Sequence, residues 1–433
     1  MTQKSCSRII TLFAALVGGV SSQIITNATW LDTGDTLQLS ADPTFHFSLL
    51  DLLGMGIYRG SDAADVLGAA NAILPSDFTS FNSTFAELAA RKQVQALAAK
   101  NKVNARDTFF QAASYWRQAD FFLHGNWSDP LINMYWENQT ACFNTANAAL
   151  PVPGVRVTIP TPSNFSAIGI FYAPDNTTSA KPTLLVGNGY DGSQEDMYHQ
   201  VCVAALERGW NCMTYEGPGQ PTVRREQNIG FIADWEKVVT PVVDYLANRT
   251  DVDMSHLALL GISMGGYLAA RAAAFEPRIK ALIVNPGIVS VQASYFTDFP
   301  DELLALFDSG NQTAFDAVIN ALLLNSSTPS GTRWGIEQGL WSFHTESPFE
   351  FFTLTGAMNL TGLYDKITMP TWTANSTRDT FFPNQSVMFA TQLQNITNVT
   401  LITYDGPEGY HCQVGASTST NRDVFEWLED VFE

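Results

Sequence analysis

Charge is scarce in this chain. Only 15% of the 433 residues are Asp, Glu, Lys or Arg, and 42 acidic side chains against 23 basic ones leave a formal net charge of −19. So acidic a surface repels phosphate backbones and anionic lipid, which sets nucleic acid and charged membranes aside as partners. No apolar run reaches the roughly 20 residues that span a bilayer. Internal repeats, low-complexity tracts and a P-loop are also missing. Cysteine is sparse, and the spacing of the five present does not resemble a zinc site.

What is present begins with an export signal. Lys4 and Arg8 precede the apolar stretch Ile9–Val20, and Ser21 and Ser22 offer a cleavage site, which predicts a signal peptide over 1–22. Asn-x-Ser/Thr occurs fourteen times, at Asn27, Asn82, Asn126, Asn138, Asn164, Asn176, Asn248, Asn311, Asn325, Asn359, Asn375, Asn384, Asn395 and Asn398. Roughly four would arise by accident, so the excess points to N-linked glycans and a secreted or secretory-lumen protein. Cys6 leaves with the signal. Cys142, Cys202, Cys212 and Cys412 allow three disulfide pairings if all are used, or stay as buried thiols.

Periodicity divides the remainder. Residues 23–150 read as a helical N-terminal cap, since "FHFSLLDLLGMGIY", "FAELAARKQVQALAAK" and "DTFFQAASYWRQADFFLHG" repeat apolar residues at three- and four-residue spacing. Two antiparallel strands are expected in "PVPGVRVTIP" and "AIGIFYA". From Pro182 short apolar strands alternate with helices, with strands at 183–188, 211–215, 257–262, 281–286, 369–374 and 400–405. Helices are expected over "EDMYHQVCVAALERG", 233–248, from Met264, near 385–393 and from 421. This is an α/β fold, a mostly parallel sheet covered on both faces. Its core spans 151–289 and 363–433, and 290–362 form a helical lid insertion rich in aromatics.

Within that frame, Gly261-Ile262-Ser263-Met264-Gly265 fits Gly-x-Ser-x-Gly. A random chain of this length would contain about 0.15 such matches. Its position, where an apolar strand gives way to a small-residue helix, is that of a nucleophile elbow, and it makes Ser263 the candidate nucleophile. A serine hydroxyl needs a base. Of six histidines only His344 and His411 follow Ser263, and His411 lies in a loop just past the last strand, beside the elbow. His46, His124, His199 and His256 precede the serine and read as structural. Asp379, after the strand before the histidine strand, is the candidate acid; Asp365, Asp405 and Glu408 are worse placed. The oxyanion donors expected are the backbone N–H of Met264 and that of Tyr190, in "GNGYDGS". Phosphate binding is not expected of that loop, and "EGPGQP" reads as a structural turn at the same rim.

These residues, with "GNGYDGSQEDMY", "ERGWNCMTYEGPGQ", "GISMGGYLAARAAAFEPRIKA", "RDTFFPNQ", "EGYHCQVG" and "ASYWRQADFFLHGNWSDPLI", give the chain a family resemblance. It resembles the alpha/beta-hydrolases that include the fungal polyketide-shortening hydrolases of pigment pathways and the bacterial 2,6-dihydroxypseudooxynicotine hydrolase. The resemblance implies Ser263, Asp379 and His411 as the triad and a substrate held between cap and core. It also implies cleavage, without cofactor, of C–C bonds in β-dicarbonyl or aryl-ketone compounds or of esters; homodimers occur among such proteins. An aromatic or polyketide-like ligand would then meet Tyr115, Trp116 and His124 in the family-like stretch of the cap. Two rivals keep the scaffold: a cyclase or acyltransferase that captures the acyl-enzyme without water, and a non-catalytic binding protein.

Overall fold

The structure, a computed structural model, describes residues 36–433; the leader expected over 1–22, Cys6 and Asn27 lie outside the described residues. Strands β1 (Val155–Pro160), β2 (Ser166–Tyr172), β3 (Lys181–Gly187), β4 (Asn211–Glu216), β5 (Val252–Ile262), β6 (Ala281–Asn285), β7 (Thr371–Ser376) and β8 (Val399–Tyr404) form one sheet in the order β1-β2-β4-β3-β5-β6-β7-β8. β2 runs antiparallel to both neighbours, and every other pair is parallel. Leu257, Leu259, Leu282 and Ile283 of the central strands are wholly buried, as expected of strands covered on both faces. Parallel neighbours need crossovers, so the connecting helices pack on the two faces.

Five helices precede the sheet: α1 (Pro43–Met55), α2 (Ala63–Ala72), α3 (Phe78–Ala98), α4 (Lys102–Asp120) and α5 (Leu131–Ala148). Their starts are written in polar caps. Asp42 Oδ1 accepts from the N–H groups of Thr44 (2.8 Å) and Phe45 (3.1 Å) with Pro43 at the first helical position, and Asn101 caps α4 in the same way. α3, α4 and α5 pack through rings such as Phe81, Phe85, Phe110 and Phe143, each at most 1% exposed. The sheet's own helices are α6 (Gln194–Met197), α7 (Val203–Glu207), α8 (Pro221–Gln227), α9 (Glu236–Ala247) and α10 (Gly265–Ala273). Between β6 and β7 come α11 (Val291–Phe296), α12 (Asp301–Asp308), α13 (Gln312–Leu323), α14 (Ser330–Phe343) and α15 (Pro348–Gly356); α16 (Gln385–Leu393) and α17 (Ser417–Phe432) complete the chain. Insertion and N-terminal helices touch: Ser330 Oγ donates to Asp42 Oδ1 at 2.8 Å, and His124 Nδ1 lies 2.6 Å from Gln338 Oε1.

Three details differ from the sequence expectation. The helix expected through "EDMYHQVCVAALERG" runs from Gln194 to Glu207 but widens to a π-helical turn over Tyr198–Cys202. β5 begins at Val252, five residues before the apolar stretch; Val252 pairs with Lys181, and the half-buried or exposed residues 253–256 that follow carry no apolar run to announce them. "EGPGQP" does turn, and then starts the short helix α8, with Pro221 at its first position; its polar sequence, "PTVRREQ", lacks the apolar stripe that would announce a helix. No helix among the described residues is long and apolar enough to cross a membrane.

Cys202, at the end of the π-turn, is bonded to Cys212 in β4, while Cys142 and Cys412 are free. The bridge ties a largely buried helix to the sheet across 10 positions, so removing it by Cys202→Ala with Cys212→Ala should lower unfolding free energy by about 2–3 kcal/mol. Denaturant melts check the stability, and peptide mapping without reductant should find residues 202 and 212 linked. Alkylation of both without prior reduction would overturn the pairing.

Candidate active site

The carboxyl ends of the parallel strands lie side by side, and the residues singled out in the sequence hang from them. β5 ends at Ile262, and Ser263 follows in left-handed backbone with φ 58°. That conformation costs a non-glycine residue about 1–2 kcal/mol, and close packing enforces it. A Cβ on Gly261 would fall 2.0 Å from the Gly265 carbonyl oxygen, and one on Gly266 would fall 1.9 Å from that of Pro286. Ser263 N–H donates to Asn285 O at 2.7 Å, fastening the turn to the end of β6. The glycines of the pentapeptide are therefore steric requirements of a sharp strand-to-helix turn.

Ser263 Oγ stands 2.9 Å from His411 Nε2 across 148 positions of chain, and His411 Nδ1 stands 2.7 Å from Asp379 Oδ2. With Nδ1 protonated, the ring donates to the carboxylate and accepts from the hydroxyl. Asp379 is itself held: its Oδ1 accepts from the N–H groups of Phe381 and Phe382, both at 2.8 Å. Burial pushes this carboxyl up, yet the His411 charge, its hydrogen bond and the two amides prevail and hold it below the usual carboxylate range. For His411 burial works against the imidazolium, but Asp379, with a lesser contribution from Cys412, raises it well above an ordinary histidine. Gln413 braces the histidine loop, accepting from Asn285 Nδ2 and donating to Ser376 Oγ, each at 2.7 Å.

Met264 and Tyr190, from which oxyanion donors were expected, both line the cavity that holds Ser263. Among the described residues, neither N–H donates to a protein acceptor. Gly189 presses against the elbow: a Cβ there would come 2.7 Å from Met264 N and 2.9 Å from Ser263 Cβ. Gln220 Nε2 clamps the loop, donating to Asn188 O and Oδ1 at 2.8 Å each. Gly187, Gly189 and Gly192 do carry the Gly-x-Gly-x-x-Gly spacing of a phosphate loop. However, Asp191 lies within that motif and Asp196 shortly after it, so carboxylates stand where a bound anion would need positive charge.

A cavity of about 1410 Å³ opens over these residues, lined by α1, by the end of α4, by the insertion and by Ser263, Met264, Tyr190 and His411. Its lid side is apolar, with Phe299, Leu303, Val318, Leu322 and Trp334. One wall is polar: Asp51, Arg117, Asp191 and Asp196 meet there. Burial, then Asp196 and Asp191, pushes Asp51 up to about 7 against the pull of Arg117.

The three cap residues expected to meet the ligand do not line this cavity. Tyr115 accepts from Asp62 N–H (2.9 Å) and donates to Asp65 (3.1 Å). Trp116 donates to Gln93 Oε1 at 3.0 Å and packs on Tyr135. His124 is stacked 4.1 Å from the Trp341 ring, between Gln338 and Asp120. All three spend their polar atoms inside the protein. Arg117, Gln118 and Phe121 of the same stretch face the cavity instead, about 100–200° around the helix from Trp116.

Sheet order, elbow and the three converging side chains define the alpha/beta-hydrolase class. Residues 79–303, slightly over half of the chain, match the family described as "Esterase FrsA-like", and the chain belongs to it. It is similar to the 20-hydroxy-prefusarin hydrolase of Gibberella moniliformis, with 28% identity over 90% of this chain and 97% of that one. The hydrolase acrC of Aspergillus aculeatus is 28% identical over 90% of this chain and 96% of its own. Among solved structures, 2,6-dihydroxy-pseudo-oxynicotine hydrolase shares the fold with a TM-score of 0.68 at 19% identity, covering 88% of this chain and 95% of that one. The protein is a hydrolase of the alpha/beta type.

Because its folded value is raised, the charged His411 contributes stability below an ordinary histidine pKa of about 6.5, and that contribution is lost as pH rises through the raised value. Asp379→Asn should return the His411 titration toward the ordinary range, read by NMR of the imidazole. An unchanged titration would show that the carboxylate is not what holds it up.

Proposed function

We propose that this protein is a serine hydrolase that cleaves a C–C bond of a β-dicarbonyl or aryl ketone, or an ester, in an aromatic or polyketide-like small molecule through an acyl-enzyme. The observation that carries this reading is the unbroken line Ser263–His411–Asp379, 2.9 and 2.7 Å per link, at the floor of a large cavity. Ser263 Oγ attacks the substrate carbonyl while His411 Nε2 takes its proton. The oxyanion rests on the N–H groups of Met264 and Tyr190, and Asp379 stabilises the imidazolium. Collapse expels an enolate from a 1,3-dicarbonyl, or an alkoxide from an ester, and His411 protonates it. Water, deprotonated by His411, then attacks the acyl-serine, and Ser263 leaves with its proton restored.

Size and lining support the substrate class. At about 1410 Å³ the cavity exceeds the roughly 300–1,000 Å³ of drug-sized sites, and its lid side is aromatic and aliphatic. The relatives named above, hydrolases of fungi, favour the same reading. Export through a glycosylating pathway is part of it: the N-terminal leader pattern supports it, and Asn126, Asn164, Asn176, Asn248, Asn311, Asn325, Asn384, Asn395 and Asn398 stand exposed to receive sugar. Asn82 is 6% exposed inside α3 and should stay bare.

Incubation with aryl esters and acylated phenolic β-diketones, read by mass spectrometry, should show two fragments that together gain one water. A product isomeric with its substrate would instead reveal a cyclase. Ser263→Ala should lower kcat by about 10⁴-fold or more, and near-normal turnover would remove the serine from the mechanism. Gly189→Ala, which crowds Met264 N, should cost about 10²-fold in kcat with the triad intact; an unchanged kcat would dismiss that amide as a donor. The kcat/KM profile should fall on the acid side above an ordinary histidine's pKa, since His411 must be neutral to act. A limb at or below about 6.5 would contradict the raised His411.

A further inference from the structure

Arg117 is 3% exposed and lies in the cap helix α4, far from the triad in sequence. Its Nη2 donates a hydrogen bond to the backbone carbonyl of Asp191, in the loop that carries Tyr190. Its remaining edges are poorly used. Nη1 is 3.5 Å from Asp120 and Nε 3.8 Å from Asp196, and neither atom makes a hydrogen bond. Both carboxylates have hydrogen-bonding partners of their own: Asp120 is bound by Arg225 Nη2 at 2.9 and 2.7 Å, and Asp196 closes a capping box with Ser193, while the Arg117 charge favours the ionised form of each. A buried guanidinium with so few hydrogen bonds is a net cost to folding, and an apolar side chain of similar volume would pack there at lower cost. Its charge steadies the carboxylates of Asp51, Asp191 and Asp196, and its one hydrogen bond is spent on the grip on the Asp191 backbone.

The same loop is gripped from two other bodies. Gln220, from the core, holds Asn188. Tyr190, through its hydroxyl, donates to Gly335 O of the lid helix α14, and its ring meets Trp334 edge-on at 6.0 Å. Core, lid and cap thus each hold one end or side of a five-residue segment that contains Tyr190, a residue lining the same cavity as Ser263.

Resting on the serine-hydrolase reading, we propose that Arg117 is a positioning residue: the cap, through this guanidinium, sets the oxyanion loop, so that Tyr190 N–H is aimed only when the cap is seated on the core. Misplacing a donor by about 1 Å is enough to lose about 10²-fold in rate, while binding of the substrate body, made by the cavity walls, is left nearly as it was.

The test compares Arg117→Met, Arg117→Lys and Gly189→Ala in the full chain, with sites counted by fluorophosphonate titration so that unfolded molecules drop out. Arg117→Met should lose about 10²-fold in kcat per titrated site with KM within about threefold. Arg117→Lys, which keeps the charge and loses the fork, should fall between it and the unsubstituted protein. Guanidinium added to Arg117→Ala should restore part of the rate. The double substitution Arg117→Met with Gly189→Ala should lose much less than the product of the two single losses, because both act on one oxyanion hole. Per-site kcat within about twofold for Arg117→Met, or losses that multiply, would overturn the proposal. Should Arg117→Met not fold, Arg117→Lys at full per-site kcat would overturn it equally. Full activity of Ser263→Ala is a separate result, which defeats the serine reading itself.

Discussion

Ser263 is held in left-handed backbone by glycines at 261, 265 and 266, none of which leaves room for a Cβ, and by the hydrogen bond from its N–H to Asn285 O. That turn is where the fold's packing becomes a site. A relaxed serine in an ordinary turn would drop its hydroxyl toward the sheet, and the 2.9 Å approach to His411 would be lost. The strain, of the order of 1–3 kcal/mol, is sustained by the buried strands β5 and β6, whose wholly apolar interior fixes where the turn must begin. Stability in the sheet is thus converted into placement of one oxygen atom.

The other members of the site are placed by the same edge but braced differently. Asp379 and His411 sit in loops after β7 and β8, and polar cross-ties, chiefly Gln413 to Asn285 and Ser376, do for these loops what glycine packing does for the elbow. The loop after β3, 188–192, has the most varied support, drawn from core, cap and lid. This division fits the electrostatics: the imidazole and carboxylate are locked together by charge, whereas the loop after β3 offers backbone amides, which carry no charge to hold them in place.

Much of this could be read from the residues. The alternation of apolar strands with helices marked a parallel sheet, and the order of Ser263, Asp379 and His411 along that alternation placed all three at one edge, because each follows the end of a strand. Surfaces facing a cavity were not legible. Periodicity in "ASYWRQADFF" marks which residues are buried, but a cap helix has two buried faces, one toward protein and one toward the cavity. Tyr115 and Trp116 lie on the first, and Arg117, Gln118 and Phe121 on the second. A buried arginine between two aromatic-rich turns was a signal that hydrophobic counting passes over. Helix α8 escaped notice because "PTVRREQ" has no apolar stripe, and the Cys202–Cys212 bond because pairing depends on a π-turn that spacing does not encode.

The central claim is that the chain's reacting group is one serine made nucleophilic by one histidine. A fluorophosphonate reacts with such an oxygen and with few others, so labelling followed by peptide mapping reads the claim directly. A single adduct on the peptide containing Ser263, abolished by His411→Ala, is the result this account requires. Adduct on another residue with Ser263 unmodified, or no adduct on a folded protein, would contradict it.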